Sequence, residues 1–192
     1  MVSQCNVAFG AGFPHVFHTN FLVSQQFLDN FEALFHSPSE VERFRSSASY
    51  IDFQKRWNVT IYFGLRYQTI AKAMEKAVQQ APVLALESDG FVFLQSQILW
   101  GQLKECWTPE IFLPALTDSF FKLSLQLIAR FSAWVKTTSS STSQETQTDH
   151  SGLSDEHRLL LFRDMERLCS KVSPLAHDYL LQEFRCPLPT SR

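Results

Sequence analysis

Apolar residues recur every three or four positions along most of the chain, the spacing of one face of an α-helix. From Thr19 to about His36, Phe21, Phe27, Leu28, Phe31, Leu34 and Phe35 make one broad apolar face. Ser37-Pro38-Ser39 stops that helix. Ser39 with Glu42 predicts a capping box for a short helix to about Ser46, each side chain meeting a free amide. Tyr50 to Lys55 predicts another short helix, ending around Trp57-Asn58. A longer one is expected from about Thr60 to Gln80, with Phe63, Tyr67, Ile70, Met74 and Ala77 on one side. Ala81-Pro82 ends it, because the residue before proline is pushed out of helical geometry. Phe91 to Trp107 predicts a helix carrying Leu94, Ile98, Leu99, Leu103 and Cys106. Thr108-Pro109-Glu110 has the signals of a helix start: hydroxyl cap, proline at the first position, then an acid at the positive end. The helix expected to follow reaches Lys136. One of its stripes holds Leu113, Leu116, Phe120, Leu123, Leu127, Phe131 and Trp134, and a second holds Phe121, Leu125, Ile128 and Val135. Apolar on two sides, it is expected at the centre of a bundle, with Pro114 kinking its start. Ser154-Asp155-Glu156 starts a further helix to about Lys171, with Leu159, Leu160, Phe162, Met165, Leu168 and Cys169 inward. Ser173-Pro174 starts a last short one through Phe184.

These elements predict an all-α bundle of roughly six to eight helices. Residues 1–18 are expected to be irregular, 19–136 to form the bundle core and 153–186 to pack on it as C-terminal helices. Residues 137–152 carry no aliphatic or aromatic side chain. Nothing there repays the entropy of ordering, so they are expected to be a disordered Ser/Thr-rich linker.

Composition narrows the function classes. At 45% hydrophobic residues, the chain of 192 residues can bury a continuous core. Its 18 Phe against 6 Gly suit packed helices more than turn-rich sheets. A formal net charge of −2 supplies no broad electrostatic footprint for nucleic acid. No apolar run approaches the ~20 residues a membrane span needs. The first Lys or Arg is Arg43, so neither a secretory signal nor a presequence is expected. Cys5, Cys106, Cys169 and Cys186 are far apart and form no C-x-x-C pair, which predicts reduced thiols in the cytosol. Asn58-Val59-Thr60 has the form of a glycosylation sequon and is expected instead to be a local backbone device.

Candidate chemistry is sparse. His15 and His18, three apart, are a possible metal pair, but zinc needs three or four ligands and no others lie near in sequence. Cys169 with His177 would need a base within hydrogen-bond reach, which the spacing does not impose. Cys169 is expected to be a buried thiol. Phe9-Gly10-Ala11-Gly12-Phe13 has two glycines but neither the third nor a preceding strand, so no nucleotide loop is expected. Lys55-Arg56-Trp57 and Arg66-Tyr67 interleave cations with aromatics, and cation–π packing or ion pairing explains them as well as nucleic-acid stacking. No residue is nominated as catalytic, cofactor-binding or metal-binding. No cofactor is expected, and the chain is read as no enzyme.

Two blocks are more specific. One runs Tyr50-Ile51-Asp52-Phe53-Gln54-Lys55-Arg56-Trp57-Asn58-Val59-Thr60-Ile61-Tyr62-Phe63 and on through Arg66-Tyr67 and Ile70-Ala71. The other joins Leu99-Trp100, Cys106-Trp107, Phe112-Leu113-Pro114 and Leu123 to Phe131. Together they resemble the C-terminal domain of the family of subunit 2 of the conserved oligomeric Golgi complex, over roughly residues 13 to 170. Thr60 stands where many relatives are expected to carry proline. The resemblance implies an all-helical, non-catalytic subunit of a vesicle-tethering complex at the cytosolic face of the Golgi. It implies a role in intra-Golgi retrograde transport and in maintaining glycosylation. The expected partners are the other subunits, then vesicle-fusion and coat proteins, with peripheral and indirect membrane association and no nucleic acid. The family's chain is long, so this one is expected to be a fragment, a short form or an incomplete gene product. An alternative reading, from the apolar stripes, is a helical carrier enclosing an apolar ligand such as a lipid.

Overall fold

The computed structural model describes residues 9–85, 89–140 and 154–183. Among them are seven α-helices and one 3-10 turn. The helices are α1 (Pro14–Glu32), α2 (Pro38–Arg45), α3 (Ala48–Lys55), α4 (Val59–Val78), α5 (Leu94–Cys106), α6 (Thr117–Ser140) and α7 (Asp155–Glu183). The 3-10 turn, Pro114–Leu116, precedes α6. The only pairing of extended backbone among the described residues is an isolated antiparallel bridge between Leu84 and Phe93. The all-α class expected from the periodicity is the one observed.

Local chemistry explains the boundaries. α1 begins at Pro14 rather than Thr19, because proline at the first helical position lacks only an N–H that would be unpaired there anyway. The N-cap position of α2 is Ser37, ahead of the expected Ser39, and its side chain makes no capping hydrogen bond. Glu40, not Glu42, turns back and accepts from the His36 amide at 2.9 Å. Ser47 caps α3 by accepting from the Tyr50 amide at 3.3 Å. Asn58 Oδ1 accepts from the Ile61 amide at 3.1 Å and caps α4, so this residue is the backbone device its sequon was read as.

Two expected boundaries fail at prolines. The long helix from Thr108 does not form, and α6 starts only at Thr117. Pro114 holds Leu113 in extended geometry, at φ −124° and ψ 128°, and that backbone cannot continue a helix. Conversely, Ser173-Pro174 does not divide the C-terminal helices, and Pro174 lies inside α7. Such a proline costs about 3 kcal/mol in a ladder bond and a clash. Ser170, Ser173 and Pro174 are exposed, so water can serve the freed carbonyl. α6 extends through Ser140, into the stretch read as linker. Residues 141–152 of that stretch, with Leu153 and Phe184 to Cys186 of the expected C-terminal helices, lie outside the described residues.

The contacts divide the chain into two compact units. The first takes the described residues of Met1–Gln68 together with Pro109–Thr117. Its centre is aromatic. Trp57 meets Phe9 at 4.6 Å, Phe21 at 5.4 Å, Phe17 at 5.5 Å and Phe53 at 6.2 Å between ring centroids, all edge-on. Phe17 also stacks on Tyr62 at 5.2 Å. The edge-on pairs match the ring quadrupoles, positive rim against negative face. Ile111, Leu113 and Leu116 complete the buried set.

The second unit takes Thr69–Thr108 and the described residues of Asp118–Arg192. Its core holds Ile70, Met74 and Ala77 of α4, Leu99, Leu103 and Cys106 of α5, Phe120, Leu123, Leu127, Phe131 and Trp134 of α6, and Leu161 and Leu168 of α7. α5 packs against α7. Phe91 and Phe93, just ahead of α5, are buried as well.

Candidate functional site

The candidate residues are not brought together as chemistry. His18 is buried and its Nε2 donates to the Phe112 carbonyl at 2.9 Å, whereas His15 is exposed. Among the described residues no three of His, Cys, Asp and Glu are grouped to hold a metal ion. Cys169 and His177 are eight residues apart on α7, about 12 Å along the axis, too far for a hydrogen bond. Cys169 is exposed, not buried as expected. The glycine-bearing segment at Gly10 and Gly12 leads from Phe9, whose ring sits on Trp57, so it serves the core. Arg56 lies over the Phe9 ring at 5.8 Å and Arg66 over Tyr62 at 5.3 Å, cation–π packing on rings other than the neighbouring Trp57 and Tyr67.

What the sequence did not disclose is a set of buried polar groups that tie distant segments. In the first unit, Tyr62 Oη donates to the Ile111 carbonyl at 2.6 Å, beside the His18–Phe112 bond. Burial raises the Tyr62 phenol above its ordinary pKa, against the opposing pull of Arg66. In the second unit, Gln95 is fully buried. It donates to the Ala81 carbonyl at 2.9 Å and accepts from the Val83 amide at 3.4 Å, closing the exit of α4. Asp164 is buried too. It accepts from the Val92 and Phe93 amides at 2.9 and 2.8 Å, capping α5 from α7. Trp107 Nε1 donates to Ser124 Oγ at 3.1 Å, linking the end of α5 to α6.

Burial also raises the Cys106 thiol, to about 12. A thiol ionises more readily in the unfolded chain, so the stability tied to the protonated form is complete below about pH 9 and drains as pH rises toward 12. Wild type is therefore expected to lose up to about 1.4 kcal/mol per pH unit more steeply than Cys106→Ala across that window. Urea midpoints of the two proteins at stepped pH check this, and parallel pH profiles would refute it.

The faces left in solvent are the other feature. The second stripe of α6 is only partly covered among the described residues: Phe121 and Leu125 are exposed, while Ile128 and Val135 are half-buried. On α7 the inward side is Leu161, Asp164 and Leu168, while Leu159, Phe162 and Met165, expected inside, are exposed. Similarly, α4 buries Tyr62 rather than Phe63 and Tyr67 in its first half, α1 leaves Phe27 and Phe31 exposed, and Leu34 just past its end is exposed too. Between α5, α6 and α7 lies a groove of about 370 Å³, lined chiefly by Leu99, Leu103, Ile128, Phe131, Met165 and Leu168. It is open where Met165 and Cys169 face solvent, so it offers a surface to lie on rather than an enclosure. No helix among the described residues is long and apolar enough to cross a membrane. The arrangement suits protein contact through apolar helix faces.

Comparison with known proteins agrees with this picture. The chain is 34% identical over 127 residues to the human conserved oligomeric Golgi complex subunit 2, covering 66% of this chain and 17% of that protein. It is 34% identical over 134 residues to the Arabidopsis thaliana protein of the same name, covering 67% and 18%. The Drosophila melanogaster protein of that name is 30% identical over 139 residues, covering 68% and 19%. The chain thus spans less than a fifth of the length of these curated relatives. No solved structure matches it. The family model described as "COG complex component, COG2, C-terminal" matches residues 55–190, which takes in the Trp57–Asn58 helix break and every helix of the second unit, and the chain belongs to that family.

Proposed function

We propose that the chain acts as a non-catalytic, partner-binding part of a Golgi vesicle-tethering complex, supporting intra-Golgi retrograde transport and, through it, Golgi glycosylation. The family match over residues 55–190 carries this reading. The relatives are named as subunits of the conserved oligomeric Golgi complex, so the other subunits are the first partners, with vesicle-fusion and coat proteins beyond them. Attachment to the cytosolic face of the Golgi membrane is peripheral and runs through those partners. The helix faces at Phe121, Leu125, Leu159 and Phe162 support the reading, because apolar patches rimmed by polar residues mark protein contacts.

A chimera tests it. In cells lacking subunit 2, the human protein with its matched C-terminal segment replaced by this chain is expected to restore Golgi glycosylation and to co-purify with the other subunits. The human protein without that segment is expected to fail. This chain alone is expected not to restore glycosylation, because small interfaces seldom hold stable complexes. A chimera present at normal abundance that leaves glycosylation defective would overturn the reading.

A further inference from the structure

Three cations close on one ring where α5 and α7 meet the turn ahead of α5. Lys104 of α5 holds its Nζ 5.5 Å from the centroid of the Trp100 ring, and Lys171 of α7 holds its own 5.4 Å from the same centroid. The two ammonium groups are therefore at most about 11 Å apart, within the range over which like charges still repel in moderate salt. Lys171 also sits 5.8 Å from the centroid of the Phe91 ring. Arg167, one turn before Lys171, lays its guanidinium against Gly90, where a Cβ would run into it. Gly90 has a φ of 86°, so glycine is required there twice, by the backbone and by the cation. Phe91 and Trp100 are buried, so the cations rest on fixed faces instead of roaming.

We propose that this cluster binds a phosphate monoester, whether carried by a lipid headgroup or by a free small molecule. Acids near it are few. Asp89 pairs with Lys104 at 3.4 Å, and both side chains are about half exposed. Glu105 follows Lys104 and Glu166 precedes Arg167, but neighbours on a helix diverge by about 100°, and neither is paired with the cluster. Among the described residues, Arg167 and Lys171 form no ion pair. Three cations against one carboxylate leave two positive charges in excess, which matches the charge of about −2 on a phosphate monoester. Shape narrows the ligand further. A straight row of cations suits an acidic stretch of chain, whereas cations converging about one ring suit one compact group with several oxygens. The guanidinium fork of Arg167 can meet two of those oxygens at once, and the lysines act as point charges. Because the cations are already held, binding has little side-chain freedom to remove. The cluster is separate from the exposed apolar faces of α6 and α7 and does not rest on the tethering reading.

Two probes carry the same phosphate group, and nuclear magnetic resonance titration of the whole chain in phosphate-free buffer follows both. Glycerol 3-phosphate is the soluble form. Phosphatidylcholine vesicles with about 20% phosphatidic acid are the lipid form. Glycerol 3-phosphate is expected to shift the Trp100 indole signal with a dissociation constant on the order of 1 mM, as suits a site open to water. Arg167→Gln and Lys171→Gln should each weaken that binding about fivefold or more, and Lys122→Gln, on exposed α6 surface, should leave it unchanged. Asp89→Asn removes the one paired carboxylate and should tighten binding about threefold, a gain that a misfolded chain cannot give. Binding of glycerol 3-phosphate without vesicle binding makes a free ester the source and upholds the proposal. Vesicle binding that Arg167→Gln and Lys171→Gln abolish makes a headgroup the source and upholds it too. Binding to neither probe overturns the proposal. So does binding that Lys122→Gln weakens as much as Lys171→Gln does, or that Asp89→Asn leaves no tighter. A phosphoserine peptide that binds where neither probe does would overturn it in favour of a protein partner.

Discussion

Trp57→Ala is expected to destabilise the first unit by about 4 kcal/mol, the upper part of the range for emptying a large aromatic site in a core. Trp57 is only 6% exposed, and the rings of Phe9, Phe17, Phe21 and Phe53 all lean on it. These four come from the segment ahead of α1, from α1 itself and from α3, so no single rotation can refill the space. A partner-binding tryptophan would instead be exposed, and its loss would leave the melt unchanged while weakening association. The indole adds a sharper test. Among the described residues Nε1 is buried without a hydrogen-bond partner, an arrangement that already costs stability. Trp57→Phe keeps much of the ring packing and removes the unmet donor, so its loss should stay under about 1.5 kcal/mol. Urea unfolding of the two variants checks both figures. Equal losses for Phe and Ala, or a negligible loss for Ala, would refute the packing account.

Much of this core was legible in the chain. The break at Trp57-Asn58 is marked by a capping side chain, and caps are local chemistry that depends on few neighbours. The helical class follows from periodicity alone. What periodicity could not decide was which side of each helix turns inward. α7 carries apolar residues around most of its circumference, at Leu159, Leu160, Leu161 and Phe162. A reading that collects only apolar positions picks the side with most of them, yet the buried side is the one bearing Asp164. That carboxylate is inside because two amides ahead of α5 need an acceptor, a demand set by a segment some seventy residues away. α4 shows the same limit: Tyr62 displaces Phe63 because its hydroxyl can reach the Ile111 carbonyl. The two proline errors differ in kind. Thr108-Pro109-Glu110 and Pro114 issue conflicting local instructions, and Pro114 prevails, with Leu113 held extended and fully buried. At Pro174 the local signal is real, but one forfeited ladder bond did not end α7.

Asp164→Ala is expected to cost about 3 kcal/mol in the second unit, because it strands two backbone donors at once. Both carboxylate oxygens take part: Val92 N lies 2.9 Å from Oδ1 and 3.1 Å from Oδ2, and Phe93 N lies 2.8 Å from Oδ2. Phe91 and Phe93 are each 1% exposed, so water reaches these amides poorly once the carboxylate is gone. Position adds to the count of bonds. Phe93 is the cap residue of α5 and its own side chain supplies no cap, so Asp164 meets the positive end of that helix from outside its sequence. Asp164→Asn keeps one oxygen but turns an amino group toward a donor and gives up the charge, and it should recover only about half of the loss. Glu166→Ala, two residues on and exposed, removes a carboxylate from the same helix and should change stability by less than about 0.5 kcal/mol. The ordering Ala, then Asn, then the Glu166 control can be read from urea midpoints. An Asp164→Ala protein as stable as the Glu166 control would mean that α7 is held by Leu161 and Leu168 alone.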